Sequence, residues 1–96
     1  MLRVVQTDVF IGWLANLNDD RAVARIVARI RRLELGNAGD VRSVGEGVSE
    51  MRIDYGPGYR IYFTRRGKTV TILLCGGDKK TQRKDIAMAQ RLAMEI

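Results

Sequence analysis

The chain predicts an α+β fold: a mostly antiparallel sheet with two helices on one face and a third helix at the end. Three observations point there. Two runs with helical spacing occupy the first third of the sequence. Short alternating segments separated by glycine turns fill the middle, and one further amphipathic run closes the chain. Ninety-six residues make one domain, 1–96, near the size at which a single apolar core suffices.

Taken in order, Leu2–Val5 reads as a short strand. Thr7 is placed to cap a first helix, with Asp8 in its first turn and Phe10, Trp13, Leu14 and Leu17 forming an apolar stripe. Asn18-Asp19-Asp20 breaks that pattern and caps a second helix over about 20–35. Val23, Ile26, Val27, Ile30 and Leu33 line one side of it, and Arg21, Arg25, Arg29 and Arg32 line another, as on an amphipathic helix lying against a sheet. Gly36-Asn37 stops it. A strand over Asp40–Val44, a Gly45-Glu46-Gly47 turn, a hairpin over Met51–Thr64 and a second turn at Arg65–Lys68 follow. The apolar run Thr69–Cys75 is expected to be the central strand. Gly76-Gly77-Asp78 ends it, and residues 79–96 form the last helix, with Ile86, Ala89, Ala93 and Ile96 on one side. The order is βααββββα, with no repeat or linker.

Charge is unevenly placed. Residues 1–47 hold seven arginines against six acids, whereas residues 48–96 hold ten Lys/Arg against five, within an overall net charge of +6. A pI near 10.1 suits a polyanionic partner, although a solvated basic surface would give the same value. The chain has one cysteine and no histidine, which removes disulfide frameworks, thiolate zinc clusters and the commonest acid/base group at neutral pH. No cofactor or metal is expected. The N-terminus lacks the pattern of a signal peptide and no segment is apolar for long enough to span a bilayer, so the expected location is the cytoplasm, with no membrane partner.

The most informative segment is Met51-Arg-Ile-Asp-Tyr-Gly-Pro-Gly-Tyr-Arg-Ile-Tyr-Phe-Thr64. Side chains alternate between faces along a strand, so Met51, Ile53 and Tyr55 share one face with Tyr59, Ile61 and Phe63. With Gly56-Pro57-Gly58 as the loop, Tyr55 pairs with Tyr59, Asp54 with Arg60 and Arg52 with Tyr62. One face is then core. The other carries two arginines and a tyrosine, a surface suited to holding phosphate.

This hairpin, together with Leu74-Cys-Gly-Gly-Asp-Lys-Lys-Thr-Gln-Arg-Lys-Asp-Ile86, resembles the toxins of bacterial type II toxin–antitoxin modules. The resemblance is to the RelE/ParE superfamily, in the HigB-like branch of addiction-module killer proteins, and extends over the whole chain. It implies a RelE-like fold and a metal-independent endoribonuclease, or mRNA interferase, that cleaves messenger RNA on the ribosome and stops translation and growth. It also implies an antitoxin encoded alongside, commonly a helix-turn-helix DNA-binding protein. A rival within the same resemblance is a ParE-like inhibitor of DNA gyrase without nuclease activity.

Metal-free RNA cleavage needs the 2′-hydroxyl deprotonated, the phosphorane's added charge stabilised and the leaving 5′-oxygen protonated. By the resemblance, Arg60 after Tyr59 contacts the scissile phosphate, and Arg52 on the preceding strand assists. The plainer alternatives are an Arg60–Asp54 salt bridge and a solvated Arg52. Lys79 and Lys80, where the Thr69–Cys75 strand gives way to the last helix, are the further catalytic candidates, and one of the two is expected to reach the site. Tyr62 is placed to stack on a base or to donate a proton, and Asp78, Gln82 and Lys84 are expected to line the RNA groove. Two departures from RelE stand out: Glu50 occupies a position where RelE has lysine, and no tyrosine follows Tyr62. Glu50 could serve as a base or be a surface carboxylate. Cys75, with no histidine to activate it, reads as a buried strand residue.

Overall fold

The computed structural model describes residues 2–96. Eight elements follow one another in the predicted order: β1 (Arg3–Gln6), α1 (Asp8–Ala15), α2 (Asp20–Glu34), β2 (Val41–Gly45), β3 (Val48–Ile53), β4 (Tyr59–Arg66), β5 (Val70–Gly77) and α3 (Gln82–Glu95). One five-stranded sheet runs β1-β5-β4-β3-β2, with β1 parallel to β5 and every other pair antiparallel. Among the described residues, no helix is long and apolar enough to cross a membrane.

Capping sets the first two helices. The Thr7 hydroxyl accepts from the Phe10 amide at 3.1 Å and donates to the Leu74 carbonyl at 2.6 Å, so one side chain starts α1 and ties it to β5. The Asp19 carboxylate accepts from the amides of Arg21 and Ala22 at 3.0 and 3.1 Å and starts α2. Both helices cover one face of the sheet. There Phe10, Ile26, Ile30 and Leu33 pack on Met51, Ile53, Ile61, Phe63 and Leu73, with Tyr55 and Tyr59 at the margin.

The structure changes four expectations. Val27 is 51% exposed, because the buried stripe of α2 is the narrower set Ala22, Ile26, Ile30 and Leu33. The middle strand is β4 rather than β5, since β1 pairs outside β5. The last helix starts at Gln82, after a turn in which Asp78 Oδ1 accepts from the amides of Lys80 and Thr81 at 2.9 and 3.2 Å. Finally, Arg52 pairs with Arg60 and Ile53 with Tyr59, so the hairpin loop is Asp54–Gly58 and neither Asp54 nor Tyr55 enters the ladder. The chain leaves the ladder because Tyr55 donates to Ile53 O at 2.9 Å and Gly58 donates to Tyr55 O at 3.1 Å. A shift of two residues keeps each side chain on its predicted face but changes its neighbours.

The second face is also a core. Helix α3 lies across it, and Val48, Tyr62, Leu74, Cys75 and Ala89 are buried there. Close approach at the end of β5 needs two glycines. A Cβ on Gly76 would collide with the Trp13 ring on one face, and a Cβ on Gly77 with the Asp85 carboxylate on the other. Each neighbour is held: Trp13 stacks between Phe10 and Tyr59, and the Thr81 hydroxyl donates to Asp85. Gly76→Ala and Gly77→Ala are each expected to cost about 1–3 kcal/mol through overpacking, measured as a lower urea midpoint at unchanged slope.

Candidate functional site

The alternation Glu50, Arg52 on β3 and Arg60, Tyr62 on β4 puts all four side chains on the α3 side of the sheet, opposite the first core. Glu50 is completely buried at their centre. Its Oε1 accepts from Arg42 Nε at 3.0 Å and from Arg52 Nε at 3.3 Å. Its Oε2 accepts from the Tyr62 hydroxyl and from Gln82 Nε2, both at 2.9 Å, and lies 3.7 Å from Arg60 Nε. Burial alone would raise the carboxyl pKa, but hydrogen bonds from Gln82, Tyr62, Arg42 and Arg52 outweigh it and hold Glu50 below its ordinary value. Glu50 is therefore an ionised anchor beneath the surface, neither a surface carboxylate nor an exposed base.

Above it opens a cleft of about 350 Å³ lined by Asp40, Arg52, Ile53, Asp54, Gly58, Tyr59, Arg60 and Lys79. Arg60 is 9% exposed and donates from Nη1 to the Gly58 carbonyl at 2.6 Å. Its Nε, though beside Glu50, has no hydrogen-bond partner among the described residues. Lys79 reaches the cleft because its amide meets the Pro57 carbonyl at 3.4 Å, docking the β5–α3 junction on the hairpin loop. Gly58, at φ +78°, sits against both cations: a Cβ there would lie 3.1 Å from Arg60 Nη1 and 3.6 Å from Lys79 Cβ. From the far side of β3, Arg29 donates to Arg52 O at 2.6 Å and to Ala38 O at 3.0 Å. Burial, then Arg32, lowers its pKa. The expected solvated arginine face of α2 thus gives one member to the scaffold of this strand.

Three of the four predicted catalytic residues, Arg52, Arg60 and Lys79, meet in this cleft, whereas Lys80 is exposed outside it. The alternative of an Arg60–Asp54 bridge gives way to Arg60–Glu50, because Asp54 lies in the loop. Tyr62 is not free to stack on a base: it is fully buried, and burial with its hydrogen bond to Glu50 pushes its pKa well up. Asp78 shapes the turn before α3, Gln82 supports Glu50, and Lys84 is exposed on α3 away from the cleft lining. Cys75 is buried, with its pKa pushed up to about 12 by burial and by Asp85, as suits an inert strand residue. Sequence reasoning missed Arg42 and Asp40. Arg42 stands opposite Glu50 across the β2–β3 ladder, a pairing that the Gly45-Glu46-Gly47 turn already implied.

A small α+β domain carrying a basic cleft over a buried acid is the class that fold and site define. The chain belongs to the Gp49-like family of phage-derived proteins (DUF891), whose profile matches residues 12–93. That family is commonly toxin-like and associated with phages and toxin–antitoxin modules. An uncharacterized protein of Haemophilus influenzae is 50% identical over 95 residues, which cover 99% of this chain and 96% of that protein. The family match corrects the resemblance drawn above: Gp49-like proteins are a different family from RelE/ParE, and the HigB-like placement is not supported.

Removing the anchor should be costly. Glu50→Ala leaves Tyr62 and Gln82 without their shared acceptor and Arg60 without its counter-ion, and is expected to lose about 3–5 kcal/mol, read by urea unfolding. Because folding lowers the Glu50 pKa, its ionisation stabilises the protein above the unfolded value near 4.5, and that contribution is lost as pH falls through the lower folded value. Glu50→Gln should therefore flatten the acid limb of stability against pH.

Proposed function

We propose that this protein is the toxin of a two-gene toxin–antitoxin module and a metal-independent endoribonuclease that cleaves messenger RNA in the cytoplasm. The single observation that carries the reading is the convergence of Arg52, Arg60 and Lys79 on one cleft, on rigid strands and with the Arg60 guanidinium fixed before any ligand arrives. A guanidinium presents a fork of donors that matches phosphate oxygens and remains charged at any cellular pH. Held in place, it stabilises charge that develops in the transition state without reorganising at that moment.

In this reading the 2′-oxygen attacks phosphorus, the bond from phosphorus to the 5′-oxygen breaks, and the products are a 2′,3′-cyclic phosphate and a 5′-hydroxyl. Arg60 and Arg52 take the phosphorane oxygens. The carboxylates that face the cleft, Asp40 and Asp54, are acceptors for the 2′-hydroxyl proton, and the Lys79 ammonium is a donor for the leaving oxygen. The partner is an antitoxin encoded beside the toxin, of the helix-turn-helix class, that covers the cleft with its own acidic groups. Family membership supports the module, and the cleft supports the chemistry.

Arg60→Lys keeps the charge but loses the fork, and Arg60→Ala loses both. Each is expected to fold and bind the antitoxin, and Arg60→Ala to cleave about 10²–10³-fold more slowly and to release growth arrest. The measurement is transcript 5′-end mapping after induction, with gyrase cleavage complexes assayed in parallel. Full toxicity of Arg60→Ala, or DNA breaks without new RNA ends, would sink the reading.

A further inference from the structure

Arg42 is the cation that the cleft does not use. It stands on β2, the edge strand, opposite Glu50, and its side chain is 52% exposed. Its Nε and the Nε of Arg52 both donate to one atom, Glu50 Oε1, at 3.0 and 3.3 Å. These are the only hydrogen bonds that the two side chains make among the described residues. Each guanidinium is therefore held at Nε with its Nη edge unused, and Arg52 is itself 40% exposed. Two guanidiniums held at Nε by a common buried carboxylate leave four Nη nitrogens without a partner among the described residues, the kind of donor set that a phosphate group takes. Because Glu50 is entirely buried, it fixes the pair without confronting an anion directly.

We propose that Arg42 and Arg52 form a second phosphate subsite, which holds the phosphate adjacent to the one in the cleft on a single-stranded RNA. This rests on the reading of the cleft as a phosphate site. The cations form a row: Lys79 at the β5–α3 junction, Arg60 on β4, Arg52 opposite it on β3, and Arg42 on β2 opposite Glu50. Arg42 does not line the cleft, although Arg52 does, so a phosphate held between Arg60 and Lys79 is not its ligand. The next phosphate along the strand would be, with Arg52 shared between the two. A backbone running along this row would leave its bases outward, in keeping with the burial of Tyr62.

The test uses oligoribonucleotides blocked at every 2′-oxygen by methylation, so that binding is read without cleavage. One probe is a dinucleotide with a single phosphate, the other a hexanucleotide, and affinity is followed against salt concentration. Arg42→Ala and Arg42→Gln should each lower the slope of log K against log salt for the hexanucleotide by about 0.7, the increment for one phosphate contact on a single strand. Both should leave dinucleotide affinity unchanged, whereas Arg60→Ala should weaken both probes. Unfolding of each variant at the wild-type urea midpoint establishes that the fold is intact. An unchanged hexanucleotide slope would overturn the proposal, and together with weakened antitoxin binding it would assign Arg42 to the protein partner instead. Equal loss on both probes would also overturn it, by making Arg42 a support for Arg52. If the wild-type protein binds as described yet yields no new transcript ends on induction, the ribonuclease reading falls and the subsite stands.

Discussion

One buried carboxylate organises the functional half of this protein. Glu50 receives hydrogen bonds from two arginines, a tyrosine and a glutamine and sits beside a third arginine, so residues from β2, β3, β4 and α3 all depend on it. Three guanidiniums gathered this closely would repel one another, and the burial of Arg60 would add a desolvation cost. A single anion beneath them offsets both. It also explains why α3 docks where it does: Gln82, in the first turn of that helix, closes the ring of donors around Oε2.

The same docking fixes the remaining cation. With Gly77 bare, Asp85 of α3 can settle against the end of β5, and the Asp78 turn then turns the chain so that Lys79 meets Pro57. Rigid strands supply Arg52 and Arg60, and a tight junction supplies Lys79. The cleft is therefore built from backbone that other contacts have already ordered, which lowers the entropy lost when a ligand arrives.

Much of this was legible in the chain. Thr7 and Asp19 mark helix starts by their own chemistry, and the apolar spacings of α1 and α2 name the first core except for Val23 and Val27. The convergence of Arg52 and Arg60 followed from strand periodicity and survived a register shift of two, because that shift preserves faces. The loop itself misled, since a Gly-Pro-Gly run reads as a complete turn, whereas hydrogen bonds from Tyr55 and Gly58 close the chain earlier. Burial of the second face was the larger omission. A strand face of Glu, Arg and Tyr reads as wet, yet the apolar side of the last helix, Ile86, Ala89 and Ala93, needed a partner, and the first face was already covered. That argument was available from patterning alone. The role of Glu50 was not, because a carboxylate's partners are set by register and by a helix docking from far along the chain.

The buried acid also bears on how the cleft can discriminate. A cluster of free arginines would attract any polyanion and collapse around it, with affinity set by charge count. Here the Nε positions of Arg42 and Arg52 are already committed, and Arg60 is fixed by Gly58 O. The donors left over point in set directions, and Asp40 and Asp54 at the rim repel anions that do not fit between them. Net attraction is reduced while geometric selectivity rises, since a ligand must match donors that cannot adjust. Under the proposed reading, the net charge of +6 would supply long-range attraction for a polyanion and leave the cleft to select by shape.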